Sequence, residues 1–461
     1  EGRPSAAHAV KQERRQLLTP GRIAIPNRRR QRKVTTMTTD TVFQMTGSNV
    51  RFGVGATREV GSDFADLGAK RVLLIIDPAV LDLYPGQTAI ESLKSAGVSF
   101  EVFDRVRCEP TDASFLQAIE VATQGNFDAF LAVGGGSAID TAKAANLYAS
   151  WPAEFTEYVN PTLGKGTTPP GPLKPLIAVP TTAGTGSETT AVAVFDFEKE
   201  RVKTGIANRY MRPILGVLDP ENTRTCPKEV AASAGLDVLS HALESFTALP
   251  FLCRDKPERP SMRTAYQGSN PISDVWALEA LRVVAEFLPR VFQNSDDEEA
   301  RGRMLLGSSY AGTGFGNAGV HLPHAMAYPV AGQVEGYLPA GYNADHSMVP
   351  HGTSVIVHTP AVCRFTAPSA PERHLQAAAA LGADIRDASP DDAGEILAER
   401  VIHFMKLMQQ PGGIEDFGYS EADIPRLVDG TLVQARLLKL SPLKTGAAEL
   451  TELFRNSLRL Y

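Results

Sequence analysis

The sequence predicts a parallel-sheet α/β N-terminal domain followed by an all-α C-terminal domain, with the change of class near Asp219. Two observations predict it. From Asn49 to Leu218 short apolar runs alternate with helix-length segments, the pattern of a parallel sheet with right-handed crossovers. Past Pro220 the apolar period becomes helical and stays so. At 461 residues the chain exceeds the roughly 150 of one typical domain, and 43% hydrophobic with 21% charged residues is ordinary globular composition.

Charge is uneven. Residues 1–40 hold ten Lys/Arg against three acids, so the body is more acidic than the net −6 of the whole chain. An acidic body with a basic head argues against nucleic acid as the partner. The Arg-rich, acid-poor segment 1–39 is expected to be a mitochondrial transit peptide, directing the protein to the matrix. An untranslated leader ahead of Met37 and a nucleic-acid arm around Arg28–Lys33 are the readings it displaces. No apolar run approaches the roughly 20 residues that span a bilayer. Cys108, Cys226, Cys253 and Cys363 form no CxxC pair, which suits a reducing compartment.

The first domain, 40–219, opens with a strand at Val50–Phe52 and a helix at Glu59–Leu67 that Gly68 terminates. Arg71–Ile76 is a continuous apolar run, hence a strand buried on both faces. A helix (Thr88–Ser95), a strand (Ser99–Phe103), a helix (Ala113–Thr123) and a strand (Asp128–Val133) follow. Ligands sit at the carboxyl ends of such strands. Asp77 stands at one of them, placed either to accept hydrogen bonds from a ribose or to cap the turn before Pro78. Gly134-Gly135-Gly136-Ser137 stands at another, directly before a helix at Ala138–Ala149. There the glycines admit a pyrophosphate and the helix N-terminus offers free N–H groups. Asp140 and Lys143 on that helix are candidates for cofactor hydrogen bonding and phosphate neutralisation, or else an exposed cap and a solvated lysine. The strand Leu176–Val179 delivers Pro180-Thr181-Thr182-Ala-Gly-Thr-Gly-Ser-Glu188, a hydroxyl- and glycine-rich loop suited to phosphate, ribose or amide contact. A hairpin over Thr190–Phe197 and Arg201–Ile206 and a strand at Ile214–Leu218 close the domain.

The second domain, 220–461, reads as helices at Val230–Thr247, Ser273–Phe292, Glu298–Tyr310, Glu372–Leu381 and Asp391–Leu407, with a polar insert near Pro250–Gly268 expected to loop out. On the first helix Asp237 and His241 are four apart and share a face, half of a divalent-metal site. They could equally pair with each other. If His324 and His351 join them, one carboxylate and three imidazoles surround a cation and leave room for a substrate oxygen. His8, His321, His346, His358, His374 and His403 read as surface or core histidines, His321 and His346 being the nearest to exceptions.

Taken in order, Gly134–Ser137 with Asp140 and Lys143, Pro180–Glu188, Gly235-Leu-Asp237-(x)₃-His241-Ala-(x)-Glu244, His324-Ala-Met-Ala-Tyr-Pro and Pro350-His351-Gly352 resemble the iron-containing alcohol dehydrogenase family, whose architecture dehydroquinate synthase shares. The resemblance implies metal ligands at Asp237, His241, His324 and His351, for Fe²⁺ or Zn²⁺. It implies dinucleotide contacts at Asp77, Gly135, Gly136, Ser137, Asp140, Thr181, Thr182 and Lys203. NAD(H), tightly held, is the implied cofactor, with NADP(H) left open. Two departures stand out. Many members carry a histidine four residues after the third ligand, where this chain has Tyr328, and the segment Val330–Val349, which contains His346, is longer than in ordinary members. Likeness to one mitochondrial subgroup implies that hydride passes from a hydroxy acid, 4-hydroxybutyrate, to an oxo acid, 2-oxoglutarate, with the cofactor retained. An ordinary NAD(P)-dependent alcohol dehydrogenase, a dehydroquinate-synthase-like lyase and a metal-free binding protein are the alternatives. Small-molecule acids are the expected partners, with no nucleic acid and no membrane, in a homodimer. Arg209 and Arg212 are the candidate cations for the substrate carboxylates.

Overall fold

A computed structural model describes residues 39–342, 344 and 346–461. The basic head, Met37 and His8 lie outside them. The strands are β1 (Asn49–Phe52), β2 (Arg71–Ile76), β3 (Ser99–Phe103), β4 (Ala129–Gly134), β5 (Leu176–Pro180), β6 (Val192–Phe197), β7 (Val202–Ala207) and β8 (Leu215–Leu218). Six of them form one sheet in the order β1-β8-β5-β4-β2-β3, every neighbour parallel. The helices α1 (Val60–Asp66), α2 (Tyr84–Ser95), α3 (Asp112–Gln124) and α4 (Gly136–Ser150) cross between strands. Alternate residues of a strand face opposite sides, and both sides here are covered. Val72, Leu74 and Ile76 pack with Val60, Phe64 and Leu93, while Leu73 and Ile75 pack with Ala118, Ala138 and Ala142. The predicted strands agree with those observed to within a residue or two. β6 and β7 pair antiparallel as a separate hairpin.

The remainder is helical: α5 (Lys228–Thr247), α6 (Pro271–Gln293), α7 (Glu298–Ala318), α8 (Leu322–Gly332), α9 (His351–Ile356), α10 (Thr359–Thr366), α11 (Pro371–Ala380), α12 (Ala393–Leu407), α13 (Ile424–Leu432), α14 (Ala435–Leu438) and α15 (Ala447–Leu458). α5 lies at the centre of this part, against α6, α7 and α9, and is buried from Gly235 to Thr247. Three outcomes differ from the sequence reading. α7 runs eight residues past Tyr310, and α10 and α13–α15 were not anticipated. The insert does not loop out freely: Arg254 and Arg263 both donate to Asp40, at 3.1 and 2.9 Å, because a buried carboxylate needs paired donors. No helix among the described residues is long and apolar enough to cross a membrane.

Candidate active site

α5 carries Asp237 and His241 one turn apart, α8 carries His324 on its first turn, and α9 begins at His351. One ligand atom from each lies within 4.8 Å of the others. Asp237 stands 3.6 Å from His241 Nδ1 and 3.8 Å from Nε2 of both His324 and His351, too far for hydrogen bonds. Asp237 Oδ1, His241 Nδ1 and His324 Nε2 are buried without any hydrogen-bond partner. Orphaned polar atoms on three of the four converging side chains are costly by themselves, and a divalent cation satisfies all three at once. Burial pushes the Asp237 carboxyl up to about 7, holds His241 well down and lowers His351 to about 3, so both rings are the neutral ligands a metal requires. At His324 burial is the largest influence and acts downward, but the Glu244 and Asp237 carboxylates together turn the net shift upward.

Glu244 is one of two residues that orient this set. It lies one turn beyond His241 on the same face of α5, accepts from His324 Nδ1 at 2.5 Å and from the His321 backbone N–H at 2.6 Å. That contact leaves His324 Nε2 aimed at the centre, the usual carboxylate–histidine–metal arrangement. Glu109 is the other, accepting the His351 backbone N–H at 3.1 Å. Lys203 Nζ donates to Glu109 at 2.8 Å and to Asp196 at 3.0 Å, and despite burial this lysine holds the Glu109 carboxyl below its usual range. Lys203 therefore stands behind the wall of the site and does not line it, since two part-buried carboxylates claim its ammonium.

The four candidate ligands line a cleft of about 630 Å³, a size suited to a small-molecule site. Asp77, Gly135, Gly136, Ser137, Asp140, Thr181, Thr182, Tyr328 and the four candidate ligands all line it. α4 begins at the cleft with no side-chain cap, so its N-terminal N–H groups face the space. A Cβ on Gly136 would lie 2.6 Å from Thr185, which is why the chain needs glycine there. Asp77 caps the turn before Pro78, accepting the Ala79 N–H at 2.9 Å, and also lines the cleft. Asp140 is occupied by Ser187 at 2.5 Å and the Val194 N–H at 2.8 Å, and Lys143 by Asp140, Ser187, Thr190 and the Val192 carbonyl. This pair fixes the loop to the hairpin, and Lys143 is not free to meet phosphate.

Glu188, at the end of the loop, is fully buried with Oε1 unpartnered, and burial raises its pKa from 4.5 to about 7. A carboxyl with a raised folded-state pKa contributes stability that is full below about 4.5 and is lost as pH rises through about 7. Glu188→Gln is expected to raise the unfolding midpoint at pH 8 and to leave it unchanged at pH 4. A thermal melt at both values checks this, and equal midpoints at pH 8 would contradict it.

The other histidines among the described residues fall outside the cluster. His321 Nε2 meets Thr247 Oγ1 at 3.1 Å, His374 is held by Thr366 and the Ala370 carbonyl, and His346 is absent from the ligand group. Arg212 is turned to the Thr46 carbonyl and Arg209 to the Tyr210 ring, and neither lines the cleft. Tyr266, Phe315 and Tyr342 line it unforeseen, Phe315 stacked on His241 at 3.9 Å.

The family model described as "Iron-containing alcohol dehydrogenase" matches residues 47–220, and "Fe-containing alcohol dehydrogenase family, C-terminal" matches 265–458. A protein of Bos taurus named "Hydroxyacid-oxoacid transhydrogenase, mitochondrial" is 54% identical over 426 residues, 92% of this chain and 91% of its own. The Homo sapiens protein of that name is 53% identical over the same share. A crystal structure of 1,3-propanediol oxidoreductase superposes with a TM-score of 0.79 at 26% identity, covering 90% of this chain and all of that one.

Proposed function

The chain belongs to the iron-containing alcohol dehydrogenase family, and from that premise we propose that it transfers hydride from a hydroxy acid to an oxo acid in the mitochondrion. The reaction proposed is 4-hydroxybutyrate plus 2-oxoglutarate giving succinate semialdehyde plus 2-hydroxyglutarate. One hydride and one proton leave the first carbinol and are returned at the second. The observation that carries this reading is the convergence of Asp237, His241, His324 and His351 in the cleft that α4 enters, in a chain 54% identical to a protein named for that activity.

Asp237, His241, His324 and His351 would hold Fe²⁺ or Zn²⁺, and the N-terminus of α4 with Thr181, Thr182 and Asp77 would hold NAD(H). When bound, the cation supplies Lewis-acid polarisation of a substrate oxygen and the nicotinamide supplies the hydride acceptor. Glu244 keeps His324 in one orientation and tautomer. The Asp77 carboxylate favours a free ribose and repels a 2′-phosphate. Tyr328, which many relatives replace with histidine, has its ring 6.4 Å from that of His351. Burial shifts its phenol upward, so it holds a proton at Oη near neutral pH. Phe315 and Tyr266 keep the substrate end of the cleft largely apolar and exclude water.

The test uses metal-loaded protein, desalted, given both acids and no added nicotinamide. Formation of 2-hydroxyglutarate by mass, beyond one turnover per site, is expected. Product only on addition of NAD⁺, with NADH accumulating in the absence of 2-oxoglutarate, would make the protein an ordinary dehydrogenase.

A further inference from the structure

The cleft wall carries four carboxylates, Asp77, Glu109, Asp140 and Asp237, and no lysine or arginine among its described lining residues. 4-Hydroxybutyrate brings one further carboxylate into this negative space and 2-oxoglutarate two, so a cation has to stand close behind the wall. Three cations do. Lys143 is engaged by Asp140, Ser187, Thr190 and a carbonyl, and Lys203 by Glu109 and Asp196. Arg436 differs.

Arg436 sits on the short α14 with its guanidinium 4.7 Å from the centroid of the Tyr266 ring, and no carboxylate pairs with it among the described residues. Leu437 and Leu440 beside it pack into the same apolar group as Tyr266, Phe315 and Tyr328, three residues of the wall. We propose that Arg436 is the specificity-determining residue that takes the carboxylate of both substrates, at the edge of Tyr266, while their oxygen-bearing carbon lies toward the metal ligands.

This inference rests on the transhydrogenase reading, and the chemistry of the two acids fits one anchor. In 4-hydroxybutyrate the carbinol carbon is three bonds from the carboxyl carbon. In 2-oxoglutarate the keto carbon is three bonds from the distal carboxyl carbon. A single guanidinium at a fixed distance from the reacting carbon therefore suits donor and acceptor alike, and its planar fork matches a carboxylate bidentately.

Arg436→Met and Arg436→Lys test it. The ratio of kcat/KM for 4-hydroxybutyrate to that for butan-1-ol is expected to fall at least about 30-fold in Arg436→Met, through KM, with part recovered in Arg436→Lys. Calorimetric binding of glutarate to metal-loaded protein should weaken by a similar factor. A ratio that does not move, or a fall shared equally by acid and alcohol, would show a packing role and overturn the proposal. If the wild type turns over no hydroxy acid, the functional reading fails separately. Glutarate binding still decides: its loss in Arg436→Met supports the anion site, and equal binding by both proteins removes it.

Discussion

Asp237→Asn is expected to lose its bound divalent metal and on the order of 10³-fold or more in turnover, while the metal-free protein unfolds at the same midpoint or higher. Asparagine keeps the shape of the side chain and its packing in α5. It removes the one full negative charge among the four candidate ligands, and with it the charge that offsets the cation. Polarisation of the substrate oxygen by a metal is worth several kcal/mol of transition-state stabilisation, hence the size of the effect. The stability forecast has the opposite sign for a stated reason. Burial has already pushed the Asp237 carboxyl up to about 7, so a neutral amide there escapes a desolvation cost that the carboxylate bears. Elemental analysis and a thermal melt of metal-stripped protein check both halves. Full metal occupancy in Asp237→Asn would remove this residue from the ligand set.

Lys203→Met is expected to cost about 3 kcal/mol of stability, because it strands the part-buried Glu109 and Asp196 carboxylates, 17% and 22% exposed, without their shared partner. Lys203 is 1% exposed, so little solvent screening softens the loss. The affinity for NAD(H) should change less than about threefold beyond what the lost stability explains, since the ammonium stands behind Glu109. Denaturant unfolding followed by cofactor titration distinguishes the two roles. A protein of wild-type stability that binds NAD(H) tenfold more weakly would restore Lys203 to the cofactor contacts.

How much of this was legible in the sequence depends on how local the signal is. β2, β4 and β5 are apolar on both faces, and a run such as Val72–Ile76 has few other uses. α7 shows the limit. Its last turns, Ala311–Ala318, contain Gly312, Gly314 and Gly316, and propensity argues against a helix there. The helix persists because Gly312 lets it lie against the Gly186 turn, where a Cβ would fall 2.2 Å from Thr189 Oγ1. Packing across 126 positions of sequence has no local trace. In the site, Asp237 and His241 were visible as an i, i+4 pair. Glu244 could have been found by carrying the same face one turn further, at i+7. Glu109 could not, because its role depends on a fold that sets a strand-end loop against the first N–H of α9. Arg436 lies on a four-residue helix with no periodicity, and only the packing of Leu437 and Leu440 places it beside Tyr266.

The sheet order has a kinetic meaning. β1 is an edge strand whose neighbour in the sheet is β8, with Asn49 opposite Leu215. Closing a loop of about 165 residues costs only about 4–5 kcal/mol of chain entropy, so the pairing is affordable in the finished protein. It cannot begin early. A chain emerging from its amino end, at the ribosome or through a membrane pore, has to deliver Leu215–Leu218 before Asn49–Phe52 can be hydrogen-bonded, and Arg254 before Asp40 gains its first ionic partner. The leading end is thus the last part of the sheet to be sewn in, since β1 stays unpaired until β8 has emerged.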